Sequence, residues 1–121
     1  MKNVLAVVAH HWLVITLIIL AAITVLSLSP LPALPQVPGS DKTHHFIAYA
    51  ALMFPTAVRR PQYALLITLG FAGWSGAIEL IQPYVNRYGE WLDLAANCGG
   101  LICGWLLAML LSRLFGRQTQ L

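Results

Sequence analysis

Charge is what this chain has least of. Its 121 residues include seven Lys and Arg and only four Asp and Glu, so charged residues make up 9% of the sequence. Soluble domains carry about 25%. So few charges cannot cover the 59% of residues that are hydrophobic, and a water-soluble globule is excluded. A bilayer removes the need for that cover. Cysteine is also scarce. Cys98 and Cys103 lie five apart in an apolar run, on different faces of a helix, so they cannot bridge each other and read as small packing residues. There is no HExxH or Cys-pair spacing, no nucleophile elbow, no phosphate loop and no dinucleotide fingerprint. The basic residues form no run and no helix face, which argues against nucleic acid despite a net charge of +3.

What the sequence does have is long apolar stretches, with a mean hydropathy of +0.74. The first covers residues 4–28. From Trp12 to Leu28 only Thr16, Thr24 and Ser27 interrupt it. That exceeds the ~7–15 residues of a signal-peptide core, so it reads as a retained helix. Pro30, Pro32, Pro35 and Pro38 follow and predict a stiff extended connector. The second segment is apolar only over 46–58. With Ser40 as N-cap it becomes a helix over 41–60, about 30 Å long, whose first turn is the polar string Asp41, Lys42, Thr43, His44, His45. Pro55 predicts a kink there and releases the Ala51 carbonyl. Two more segments cover 62–81 and 91–111. The fold expected is all-α, one domain, an integral membrane four-helix bundle.

Basic residues set the expected topology. With both termini in the cytoplasm, Lys2, Arg59, Arg60, Arg113 and Arg117 lie inside, and only Lys42 and Arg87 outside. All four acids, Asp41, Glu79, Glu90 and Asp93, then fall near the outer face. His10 and His11, with Trp12, read as anchors at the inner interface. Trp91 and Tyr88 sit where an outer aromatic belt would.

Helical spacing gathers the polar residues into stripes. Asp41 and His45 share a face that continues through Tyr49 and Leu52. Ser75, Glu79 and Gln82 share another. Asp93, Asn97, Gly100, Gly104 and Ala108 form a third. Glu79 is the most costly residue to place, because Ala77, Ile78, Leu80 and Ile81 surround it. An ionisable group at membrane depth faces the bundle interior and finds a partner. Arg87, Lys42 and a protonated His45 are the candidates, with Gln82, Asn97 and Asp93 completing a hydrogen-bonded cluster. The competing reading is that such residues only tie helices together, at about 0.6 kcal/mol per bond. That suffices for Asn97 and Gln82 alone. It does not explain so many polar groups converging on one side.

Three pieces of sequence, in order on successive hydrophobic segments, carry a family resemblance: DKTHHF at 41–46, ELIQ at 79–82 and RYGEWLDLAANCGG at 87–100. With them the chain resembles the VanZ-like membrane proteins, over roughly residues 12–112. The family pattern has an Asp-Lys-x-x-His-Phe element, a Glu-x-x-Gln element, and an Arg followed by Asp-x-x-x-Asn-x-x-Gly. Glu90 departs from it, standing where Asp is more usual. The resemblance implies a bacterial plasma-membrane protein of the cell envelope. The family is named for a member that raises resistance to the lipoglycopeptide teicoplanin. It implies no particular reaction.

Two functions remain open on these residues. In an enzyme, Glu79 would be general acid or base, Asp41 would orient His45, and Asp93 would complete the set. Arg87 and Lys42 would hold a phosphate or carboxylate of a lipid-linked envelope substrate. Gln82, Asn97 and Glu90 would contact the same substrate. In a binding protein, the cluster would hold a lipid headgroup, a drug or a membrane partner, with no turnover. A transporter fits less well, because four helices leave little room for a pathway. No cofactor is expected. Asp41, His45, Glu79 and Asp93 are donors that a divalent ion accepts, but no zinc-type spacing accompanies them.

Overall fold

A computed structural model describes residues 2–29, 41–85 and 91–115. The described part is 93% helical and has no strand. Five helices follow in order: α1 Lys2–His10, α2 Trp12–Ser27, α3 Asp41–Arg59, α4 Ala64–Ile81 and α5 Trp91–Phe115. A 3₁₀ turn over Gln82–Val85 extends α4. The Pro-rich connector and the 86–90 loop, with Arg87, Tyr88 and Glu90, lie outside the described residues.

The first segment differs from the single helix expected over 4–28. It breaks at His11, and α1 and α2 meet at a 76° bend. The His10 and His11 rings stack edge to face at the break, with centroids 4.6 Å apart. The cause is tertiary. Leu5 and Ala9, one turn apart on α1, are buried in the common core, and α1 packs chiefly on α3. A straight continuation of α2 would carry that face away. The other segments hold helices close to the ranges expected, and α3 continues through Pro55 without interruption.

The α4 segment Ala64–Val85 and α5 are each long and apolar enough to cross a membrane, and α1 with α2 meets the same test as a bent pair. The surface is inverted relative to a soluble protein. Leu65, Leu66, Ile18, Ile102 and Leu114 are exposed, whereas Thr56, Ser75, Glu79, Gln82, Asp93 and Asn97 are buried. An apolar solvent makes that arrangement favourable.

α3 is the central helix. Tyr49, Leu52, Met53, Thr56, Ala57 and Val58 are all buried, and its main partner is α5. The α5 stripe read from sequence, Asp93, Asn97, Gly100, Gly104 and Ala108, is buried, and Leu101 and Ser112 are buried with it. Two glycines set the spacing. A Cβ at Gly100 would overlap the Phe46 carbonyl oxygen and come within 3.1 Å of the Ala50 nitrogen. One at Gly104 would overlap the Ala50 carbonyl, 3.0 Å from its carbon. Backbone therefore meets backbone, which small residues permit in membrane helix pairs.

Replacing Gly104 by Val should cost at least the ~1–3 kcal/mol of an overpacked core, since the obstacle is backbone. The expected result is loss of monodisperse protein on detergent extraction. Gly70→Ala and Gly73→Ala meet nothing within 4 Å. They should leave extraction unchanged or raise the melting temperature, because Ala favours helix by up to about 1 kcal/mol.

Candidate polar site between α3, α4 and α5

The site forms where the start of α3, the end of α4 and the start of α5 meet. Asn97 is its hub. Its side-chain oxygen accepts from His45 Nδ1 at 3.1 Å, joining α5 to α3. Its Nδ2 donates to Ser75 Oγ at 2.6 Å, joining α5 to α4. The Tyr49 and Ser75 side chains hydrogen-bond in turn, one helical turn below His45. One amide thus bridges three helices, and Asn97 is only 2% exposed. Buried without partners, each polar end of that amide would cost kilocalories.

Above this chain of bonds lie the ionisable groups. One ligand-type atom from each of His45, Glu79 and Asp93 falls within 4.8 Å of the other two. Both carboxylates are buried, Glu79 at 4% and Asp93 at 1% exposure. Lys42 Nζ stands 3.4 Å from Asp93 Oδ1, and the lysine side chain remains 42% exposed. The pair links α3 to α5. Exposure of the ammonium screens it and keeps its contribution near the ~0–1 kcal/mol of surface pairs.

The residues expected from sequence therefore divide. His45, Glu79, Asp93 and Asn97 come together, and Lys42 joins them through Asp93. Asp41 begins α3, but its side chain lies outside the described residues, as do Arg87 and Glu90. Gln82 is buried at 1% exposure, yet its Nε2 donates to the Ser27 carbonyl at 3.0 Å. That carbonyl belongs to the last turn of α2, where carbonyls lack helical partners. Gln82 thus closes α2 onto α4. Trp74 repeats the tie one turn away, donating from Nε1 to Thr24 Oγ1 at 2.9 Å.

Ser75 and Tyr49 were not among the residues assigned to the site, although both stand four residues from one that was. That spacing was the available signal. Beneath the polar groups, an apolar cleft of about 250 Å³ opens between α4 and α5, lined by Leu65, Thr68, Leu101, Ile102, Trp105 and Leu106. Leu101 is one turn along α5 from Asn97. Comparison with protein-family models, curated proteins and solved structures finds no match.

Asn97→Ala removes two interhelical bonds at once. At about 0.6 kcal/mol per bond, and up to ~1.7, the expected loss is roughly 1–3 kcal/mol. Trp74→Phe removes one exposed bond and should cost under about 1 kcal/mol. Thermal unfolding in detergent, followed by circular dichroism, should rank the two in that order.

Proposed function

We propose that the chain is a four-span protein of the bacterial plasma membrane, with both termini in the cytoplasm and its polar site facing outward. We further propose that this site handles the headgroup of a lipid-linked envelope substrate. The observation that carries the reading is the convergence of half-buried His45 with buried Glu79 and Asp93 at one end of a bundle whose outer surface is apolar. Ionisable groups at membrane depth are costly to keep and mark functional sites.

The spanning of α3 follows from its neighbour. Contacts pair His45 with Asn97 at one end of α3, and Arg60, just past its other end, with Met109. The two helices run parallel side by side, so a crossing by α5 would carry α3 across with it. α3 is less apolar because it touches protein on most sides and lipid on few. The end opposite the site carries Arg59, Arg60 and Arg113, as the positive-inside rule asks of a cytoplasmic face. Gln82 and Trp74 hold the end of α2 near the polar end, so α2 begins at the cationic end. The resemblance to VanZ-like proteins supports the same location and an envelope role.

A lipid-linked substrate fits the site in two parts. Lys42 offers a cation for a phosphate or carboxylate, beside Glu79 and His45 as acid and base. The apolar cleft between α4 and α5, whose lining starts one turn along α5 from Asn97 and runs away from the polar end, suits an acyl chain. The second reading is binding without turnover. The His45–Asn97–Ser75 chain favours it, because these groups already serve as interhelical ties.

Incubating purified protein with bacterial lipid extracts and analysing them by mass spectrometry separates the readings. An enzyme converts a lipid that Glu79→Gln leaves intact. Identical products from wild type and Glu79→Gln reject turnover, and co-purification of a lipid lost in Asp93→Asn then supports binding. Topology is tested separately. Alkaline phosphatase inserted in the 30–40 connector should be active, and a cytoplasm-folding fluorescent protein after Leu121 should fluoresce.

A further inference from the structure

We propose that His45, Glu79 and Asp93 form a binding site for one divalent metal ion of the zinc or manganese class. Three helices each supply one donor. With the donor atoms within 4.8 Å of one another, a point exists roughly 2.8 Å or less from all three. Zinc bonds to nitrogen and carboxylate oxygen are about 2.0–2.2 Å, so modest side-chain rotation closes the gap.

The histidine is prepared for this role. With the Asn97 amide oriented to donate to Ser75, its side-chain oxygen faces His45 and can only accept. In that arrangement His45 Nδ1 donates the proton and Nε2 is left with the lone pair. A metal-bound histidine needs this arrangement, with its second nitrogen donating to a fixed acceptor. Asn97 and Ser75 thus acquire a purpose beyond tying helices.

The carboxylates call for a cation. Asp93 Oδ1 is buried and accepts no hydrogen bond among the described residues. Lys42 stands 3.4 Å away from that oxygen without the alignment of a hydrogen bond, and reaches it from a side chain 42% exposed. A divalent ion would give that buried oxygen a partner inside the protein.

The donor set selects the ion. One nitrogen and two carboxylate oxygens suit zinc, manganese or ferrous iron. Calcium takes six to eight oxygens, and copper(I) prefers thiolate. Three protein ligands leave positions for water or a substrate oxygen, as in catalytic metal sites. This second step rests on the proposed function: with the ion and Lys42 both cationic, the open position would take a lipid phosphate.

The test uses the full chain purified in detergent with a tag that contains no histidine. After chelator treatment it is titrated with zinc chloride or manganese chloride by calorimetry, and its metal content is measured after desalting. Wild type should bind one ion per chain. Asp93→Asn and His45→Ala should bind at least about 100-fold more weakly, and Asn97→Ala about 10–100-fold more weakly, as outer partners of metal ligands do. Lys42→Met alters no ligand and removes a competing cation, so it should bind more tightly than wild type. The proposal is overturned if monodisperse, helical wild type binds no stoichiometric ion, if Asp93→Asn and His45→Ala bind as wild type does, or if Lys42→Met weakens binding. Lipid retention from the same preparation separates this inference from the lipid reading. Protein stripped of metal that still holds a phospholipid in an Asp93-dependent way keeps the lipid reading and loses the metal as its receptor. Stoichiometric metal without selective lipid keeps the metal alone.

Discussion

The backbone of α5 lies directly against that of α3 at Gly100 and Gly104, and the site depends on that contact. It fixes the register of the two helices. One turn above Gly100 along α5, Asn97 meets His45, and another turn brings Asp93 to Lys42. A wider separation would leave Asn97 short of α3 and leave the carboxylates buried with nothing opposite. Packing at the glycines and chemistry at the polar end are two parts of one helix pair.

The other helices are arranged around this pair. α4 brings Ser75 and Glu79 to it, and two hydrogen bonds from α4 secure the end of α2. α1 bends back to place Leu5 and Ala9 against the core. The division of labour follows from the solvent. Hydrocarbon rewards little for burying leucine, so leucines such as Leu65, Leu66 and Leu114 face outward, and small residues and hydrogen bonds help hold the helices together. Polar side chains have nowhere to go but inward, and that concentrates reactive groups in the interior.

Much of this was legible in the sequence because helical periodicity acts locally. The α5 stripe from Asp93 to Ala108 was readable at spacings of four and three, and it is the buried face. The Ser75–Glu79–Gln82 stripe was equally readable, and all three residues are buried. The break at His11 was not readable. No proline or glycine marks it, and its cause is the fit of α1 against α3, a contact between segments roughly 50 residues apart. The role of Gln82 was also hidden. Nothing in its spacing to Glu79 indicates that its amide would close the end of α2.

By itself the sequence determined the solvent, the helical class and the faces. Scarce charge points to an apolar surrounding medium, and a 3.6-residue period sorts each helix into a polar and an apolar side. Only the tertiary structure decided which polar faces meet. Hydrogen bonds and ligand distances are set within a few tenths of an ångström, and helical periodicity fixes direction without fixing distance. The close approach of α3 and α5 turns three separate stripes into one cluster around His45, Glu79 and Asp93, with Asn97 holding the histidine in place.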